Sequence, residues 1–180
     1  GMVVTDDEKL YKWMLKYRNH GMIDRDHIEF WGENYRLQPL QAVVAQVGLK
    51  KLKDTIIKRN ENAYRLDKYL KILEPFVKIP SREPHNLETF SLYMGLFQDR
   101  DNLMNFLIPN DIETKIHYPI PLHKQEAAKK NCRFNSEELK NAEYQAKHLL
   151  TLPVHQFLST TQINYTIKKI YEFYGETYIT

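Results

Sequence analysis

The chain has 180 residues, enough to bury one core plus an appendage from something larger but not two complete domains. Its 42% hydrophobic, 27% charged and 12% aromatic composition is that of an ordered protein rather than a disordered or fibrous one. Net charge is only +3 on scattered basic residues, which gives nucleic-acid binding no support, and no stretch approaches the ~20 apolar residues of a membrane span.

In chain order, Val3 and Val4 predict a brief strand, and Thr5-x-x-Glu8 reads as a capping box for the helix that follows. Leu10, Trp13, Met14 and Tyr17 recur at i, i+3, i+4 and i+7, an apolar stripe to set against a core. This helix is expected to stop at Arg18-Asn19-His20-Gly21. Residues 22–36 have neither helical nor alternating period and contain Gly32, so they read as a loop, and long ordered loops often carry function. Pro39 is tolerated in a first helical turn because its missing N–H has no intrahelical partner there. A helix therefore begins near Leu37 and continues through Leu40, Val44, Val47, Leu52, Ile56, Ala63, Leu66, Leu70 and Leu73 to the breaker Pro75, as one helix or two with a bend. Lys50-Lys51-Leu52-Lys53 reads as its solvated face.

Beyond Pro75, residues 76–79 and 89–97 read as strands joined by a turn from Pro80 to Pro84, and Asp99 is expected to cap a helix running to Phe106. Residues 112–118 alternate Ile112, Thr114, Ile116 and Tyr118 on one face, a third strand. Asn135, with Glu138 three residues on, opens a helix with Leu139, Ala142, Ala146 and Leu149 on one stripe. Ser159-x-x-Gln162 opens another, with Ile163, Ile167, Ile170 and Tyr174, ending at Gly175. Helices and strands in this order make a small α/β or α+β layer domain.

The chemical inventory is thin. His117, His123 and Cys132 match no standard zinc spacing and lack a fourth ligand, so no metal is expected. There is no nucleophile-elbow motif and no glycine-rich phosphate loop. Asp6-Asp7 and Glu137-Glu138 lie at predicted helix starts, where carboxylates suit the positive end of the dipole. The single cysteine excludes an internal disulfide and suits a reducing cytoplasm, and no signal peptide is read because the chain turns acidic at Asp6.

Three stretches add a resemblance. The turn Gly32-x-Asn34-x-Arg36-Leu37 running into Leu40-Gln41-Ala42, the segment His117-Tyr118-Pro119-Ile120-Pro121-Leu122-His123, and Leu152-Pro153-Val154-His155 ahead of Thr160-Thr161-Gln162-Ile163 come in the order found in the C-terminal half of sugar aminotransferases of the DegT/DnrJ/EryC1/StrS family. Those enzymes use pyridoxal phosphate (PLP) and share the aspartate aminotransferase fold type I. The resemblance implies an α/β fold: a small C-terminal domain with a sheet of about three strands over residues 75–180, a connecting helix over 37–74, and a strand-helix remnant of the large PLP-binding domain with an interface loop over 1–36. It implies a homodimer in which Asn34 reaches the PLP phosphate of the partner subunit. From the residue alone, Asn34 reads rather as stabilising its own turn. Arg36 assists phosphate or sugar-nucleotide binding, or makes a structural ion pair. His117 and Tyr118 match the region lining the sugar site, or serve as packing at a strand end; His123 is a weaker candidate.

The lysine that forms the Schiff base with PLP has no counterpart at the matching positions, and Lys115 does not take its place. The expected function is the C-terminal part of an enzyme that moves an amino group from an amino acid, typically glutamate, to a keto-sugar nucleotide, silent on its own. A non-catalytic binding or dimerisation module of the same fold is the other reading.

Overall fold

The computed structural model describes residues 1–131 and 139–178. Cys132, Asn135, Glu137 and Glu138, and with them the predicted cap at Asn135, lie outside the described residues. The chain divides into two compact units, residues 1–51 and 52–180.

In the first unit, helix α1 spans Glu8–Tyr17. Its cap is Asp7, whose carboxylate accepts from the N–H groups of Lys9 and Leu10, so the predicted Thr5/Glu8 box is replaced by a carboxylate one residue before the helix. Thr5 accepts instead from the Asp7 N–H. No strand forms at Val3 and Val4, which are 71% and 86% exposed: two apolar residues with no neighbouring strand have nothing to pair with. The predicted stripe of α1 is on the surface as well, for α1 buries none of its residues. Its rings stack on one another, Trp13 on Tyr17 at 4.6 Å and on Phe30 at 5.6 Å.

Helix α2 runs unbroken from Pro39 to Leu70, followed by one 3-10 turn, Lys71–Leu73. In the second unit α2 buries Ala63, Leu66 and Leu70 completely. Its polar residues there are spent on anchoring. Asn60 Nδ2 donates to the carbonyls of Ile56 and Glu88, Asn62 Nδ2 donates to that of His155, and Asp67 accepts from Arg82 and from the Tyr93 hydroxyl.

The sheet has three antiparallel strands in the order β1 (Val77–Lys78), β2 (Tyr93–Phe97) and β3 (Leu149–Leu152). Residues 89–92, predicted as strand, do not join β2; Phe90 turns the chain with φ 43°. The third strand is not residues 112–118. That segment makes a single bridge, Lys115 to Thr151, and β3 itself comes from residues read as the end of a helix and a linker. The helix preceding it, α5 (Lys140–His148), stops before Leu149, which already has extended backbone. Between β2 and β3 lie α3 (Arg100–Leu107) and the short α4 (Glu126–Asn131), and α6 (Thr160–Tyr174) closes the chain. Asp99 sits at the start of α3 in left-handed backbone, and its carboxylate accepts from the Asn102 side-chain amide rather than from the helix N–H groups. Ser159 and Gln162 form the predicted capping box of α6, and Gly175 ends that helix with φ 74°.

One core joins these elements: Leu66 and Leu70 of α2, Leu103 and Leu107 of α3, Tyr93, Phe97, Leu150 and Leu152 of the sheet, and Ile163, Ile167 and Ile170 of α6. Each is at most 2% exposed. Burial of such a side chain contributes roughly 1.5–3 kcal/mol. Among the described residues, no helix is long and apolar enough to cross a membrane.

Candidate functional site

The turn that carries Asn34 and Arg36 is built by folding residues 19–35 back on the end of α1. Backbone N–H groups of His20, Glu33 and Tyr35 donate to the carbonyls of Glu33, Tyr17 and Arg18, and Asn19 bridges to Asn34. Two glycines make the crossing possible. A Cβ on Gly32 would stand 2.5 Å from the Gly21 nitrogen and 2.6 Å from the Tyr17 carbonyl oxygen, and one on Gly21 would lie 1.6 Å from the Phe30 oxygen. Only glycine lets backbones approach this closely, and Gly21 also needs its φ of 73°.

Asn34 and Arg36 are exposed. Arg36 Nε donates to Asn19 Oδ1 at 2.8 Å, a bond to a neutral amide that leaves the guanidinium charge uncancelled by that partner. Arg36, Arg18, Lys16 and Asn19, with Leu15, Met22 and Ile23, line an open pocket of about 450 Å³. Lys16 is also paired with Glu29. Two arginines, a lysine whose charge Glu29 offsets, and an amide line one pocket, which is chemistry for an anion such as a phosphate monoester.

His117 and Tyr118 belong to the other unit. The bridge between Lys115 and Thr151 holds this segment on β3, and His117 Nδ1 lies 2.9 Å from Thr151 Oγ1. Tyr118 is 74% exposed, its ring edge-on to that of His117 at 5.6 Å. His123 is drawn elsewhere: its Nε2 is 3.0 Å from Glu143 Oε1, whose other oxygen pairs with Lys124 at 2.7 Å. The Lys124 hydrogen bond first, then that of His123, holds the Glu143 carboxyl below the ordinary carboxylate range. Sequence reasoning missed Lys16, Arg18, Asn19 and Thr151. No local pattern marks them, because each enters through a chain reversal or strand pairing.

Residues 1–171 match the model of the DegT/DnrJ/EryC1/StrS aminotransferase family. The chain belongs to that family. It is 30% identical, over 97% of its length, to a pleiotropic regulatory protein of Geobacillus stearothermophilus, and covers 47% of it. A UDP-2-acetamido-2-deoxy-3-oxo-D-glucuronate aminotransferase of Pseudomonas aeruginosa is 28% identical over 91% of this chain and 44% of the relative. The crystal structure of a DegT DnrJ EryC1 StrS aminotransferase from Brucella abortus superposes with a TM-score of 0.88 at 28% identity, over 96% of this chain and 45% of that one. The chain thus spans about half the length of the curated relatives it matches. Its α/β architecture is that of this group over about half of the solved chain.

Proposed function

We propose that the chain is the C-terminal part of a PLP-dependent aminotransferase that transfers an amino group, with glutamate as donor, to a keto-sugar nucleotide in the cytoplasm. The observation that carries this reading is the family match over residues 1–171 together with the cationic pocket beside the Asn34 turn. In this reading residues 1–36 belong to the large domain and its interface loop, 37–74 connect, and 75–180 form the small domain.

The donor set of the pocket fits a phosphate. PLP, when bound, supplies the electron sink that lets an amino acid give up its α-proton and then its amine. This chain's part is to bind and orient. Asn34 donates an amide N–H to the phosphate held by the partner subunit of a homodimer, with Arg36 adding charge at the same end. His117 and Tyr118 flank the sugar: the exposed Tyr118 offers a ring face and a hydroxyl, and His117, held by Thr151, keeps its other ring nitrogen for a hydroxyl of the substrate. The amine replaces the carbonyl oxygen on the sugar, while glutamate becomes 2-oxoglutarate. The covalent lysine comes from outside residues 1–180, so this chain by itself is silent.

The test reads the DNA upstream of Gly1 in frame and assays the complete product with glutamate and a UDP-linked 3-keto sugar. An upstream lysine and formation of 2-oxoglutarate are expected. A stop codon, or unrelated sequence without that lysine, overturns the catalytic reading and leaves the non-catalytic module in its place.

A further inference from the structure

Strand β3 reads Leu149-Leu150-Thr151-Leu152, with Thr151 as its polar residue. Thr151 is 8% exposed, and its backbone is pinned on two sides. It stands in register with Met94 of β2, and at the Lys115 bridge its N–H donates to the Lys115 carbonyl at 2.8 Å while the Lys115 N–H returns a bond at 3.3 Å. A β-branched side chain on a fixed backbone has little torsional freedom, so Oγ1 is held in place. A hydroxyl this buried needs a partner, and among the described residues that partner is His117 Nδ1 at 2.9 Å. The His117 ring also meets that of Tyr118 edge-on at 5.6 Å, while His117 Nε2 has no partner among the described residues.

Hydrogen-bond accounting places the proton. A neutral imidazole carries one N–H, on either nitrogen. With the proton on Nδ1, the ring would donate to Thr151 Oγ1 and leave the Thr151 hydroxyl proton buried without an acceptor among the described residues. With Thr151 donating to Nδ1, the hydroxyl proton is satisfied and the ring proton goes to Nε2. An unsatisfied buried donor is costly enough to favour the second arrangement by about tenfold or more. We propose that Thr151 positions His117 by donating to Nδ1, so that the neutral ring presents Nε2–H as a donor and takes an oxygen lone pair of the sugar substrate. A carbonyl, hydroxyl or carboxylate oxygen offers such a pair, and a protonated amine does not. Thr151 thereby decides which polar groups the His117 side of the sugar site accepts. The inference rests on the reading of His117 as a residue that flanks the sugar.

The test is long-range proton–nitrogen NMR on the 180-residue chain, which tells a protonated ring nitrogen from a bare one on the neutral imidazole. In the parent, His117 is expected to show Nδ1 bare and Nε2 protonated. In Thr151→Val, which keeps the β-branched shape and removes the hydroxyl, the ratio of the two tautomers is expected to fall by about tenfold, and Thr151→Ser is expected to restore it. Unchanged exchange protection of residues 160–174 shows that each variant is folded. A parent ring protonated on Nδ1 overturns the proposal by itself, whatever the variants do, as does a folded Thr151→Val with the parent's tautomer ratio. In the complete product, with a UDP-linked 3-keto sugar, a His117 ring freed from its rotamer is expected to raise KM about threefold to tenfold at unchanged kcat, and Thr151→Ser to bring KM back. The two readings fail separately. A fixed Nε2–H tautomer in a chain whose complete product makes no 2-oxoglutarate leaves the Thr151–His117 arrangement standing and removes the catalytic reading. An active complete product whose KM does not respond to Thr151→Val keeps the catalytic reading and overturns the role of Thr151 toward the sugar.

Discussion

Asp67, Arg82 and Tyr93 form a polar cluster in the second unit. Arg82 donates from two nitrogens to the two oxygens of Asp67, at 3.0 and 3.1 Å, and its guanidinium lies over the rings of Phe90 and Tyr93. The Asp67 side chain is 6% exposed, so removing its cation strands a buried charge. Arg82→Ala is therefore expected to cost about 3–5 kcal/mol in urea unfolding; a loss under ~1 kcal/mol would show that water replaces the arginine. The Tyr93 hydroxyl donates to Asp67 Oδ1 at 2.8 Å, and burial first, then the Asp67 charge, pushes its pKa far above the ordinary tyrosine range. Tyr93→Phe should lose about 1.5–3 kcal/mol at neutral pH, the value of a hydrogen bond to a charged group. Above roughly pH 10 the unfolded phenol of the parent releases its proton while the folded one keeps it, so folding stability falls with rising pH. The gap between parent and Tyr93→Phe must then narrow with pH; a constant gap would refute the link. In the candidate site, Gly32-x-Asn34-x-Arg36 was legible as a signature, but the reason for its glycine was not. The contact with the Tyr17 carbonyl is made by a residue 15 positions away, and such a crossing leaves no local pattern. Gly32→Ala is expected to unfold the turn, read as loss of the exchange protection of the Tyr35 N–H, while the 52–180 unit keeps its own protection.

At the scale of elements, periodicity succeeded where one side of a segment is buried and failed where pairing decides. The α6 stripe Ile163, Ile167, Ile170 sits in the core as its spacing predicts, and its capping box closes both ways. Ser159→Ala is expected to cost about 1 kcal/mol, read as a shift of the urea midpoint without a change in slope. Residues 112–118 alternate as a strand should, with Ile112 and Thr114 buried, yet they pair with β3 only through Lys115. Pro119 cannot donate and Tyr118 faces water, so the ladder does not extend. Leu149-Leu150-Thr151-Leu152 has no alternation to announce it. It is covered on both faces, and a short run of apolar residues after a helix cannot be told from that helix's last turn by period alone. The α1 stripe fails for a third reason: its spacing correctly identifies an apolar face, but no residue of the 1–51 unit buries it.

At the scale of the molecule, stability and the candidate phosphate-binding turn reside in different units. The buried apolar cluster is built from residues between Ala63 and Tyr171, and residues 1–51 contribute nothing to it. A chain beginning at Leu52 should therefore fold with an unfolding free energy within ~1 kcal/mol of the whole chain, since removal of residues outside a core acts like surface substitution. The first unit, by contrast, has short-range hydrogen bonds, a ladder of stacked rings and two glycine crossings, but no buried apolar cluster to make it cooperative. Native-state exchange should consequently separate the two: amides of α6 and β2 open only with global unfolding, and amides of residues 19–35 open at a small fraction of that free energy. If both sets instead share one opening free energy, or if the chain from Leu52 loses several kcal/mol, the units fold as one, and the Asn34 turn owes its rigidity to the core of residues 52–180 rather than to its own glycine crossings and hydrogen bonds.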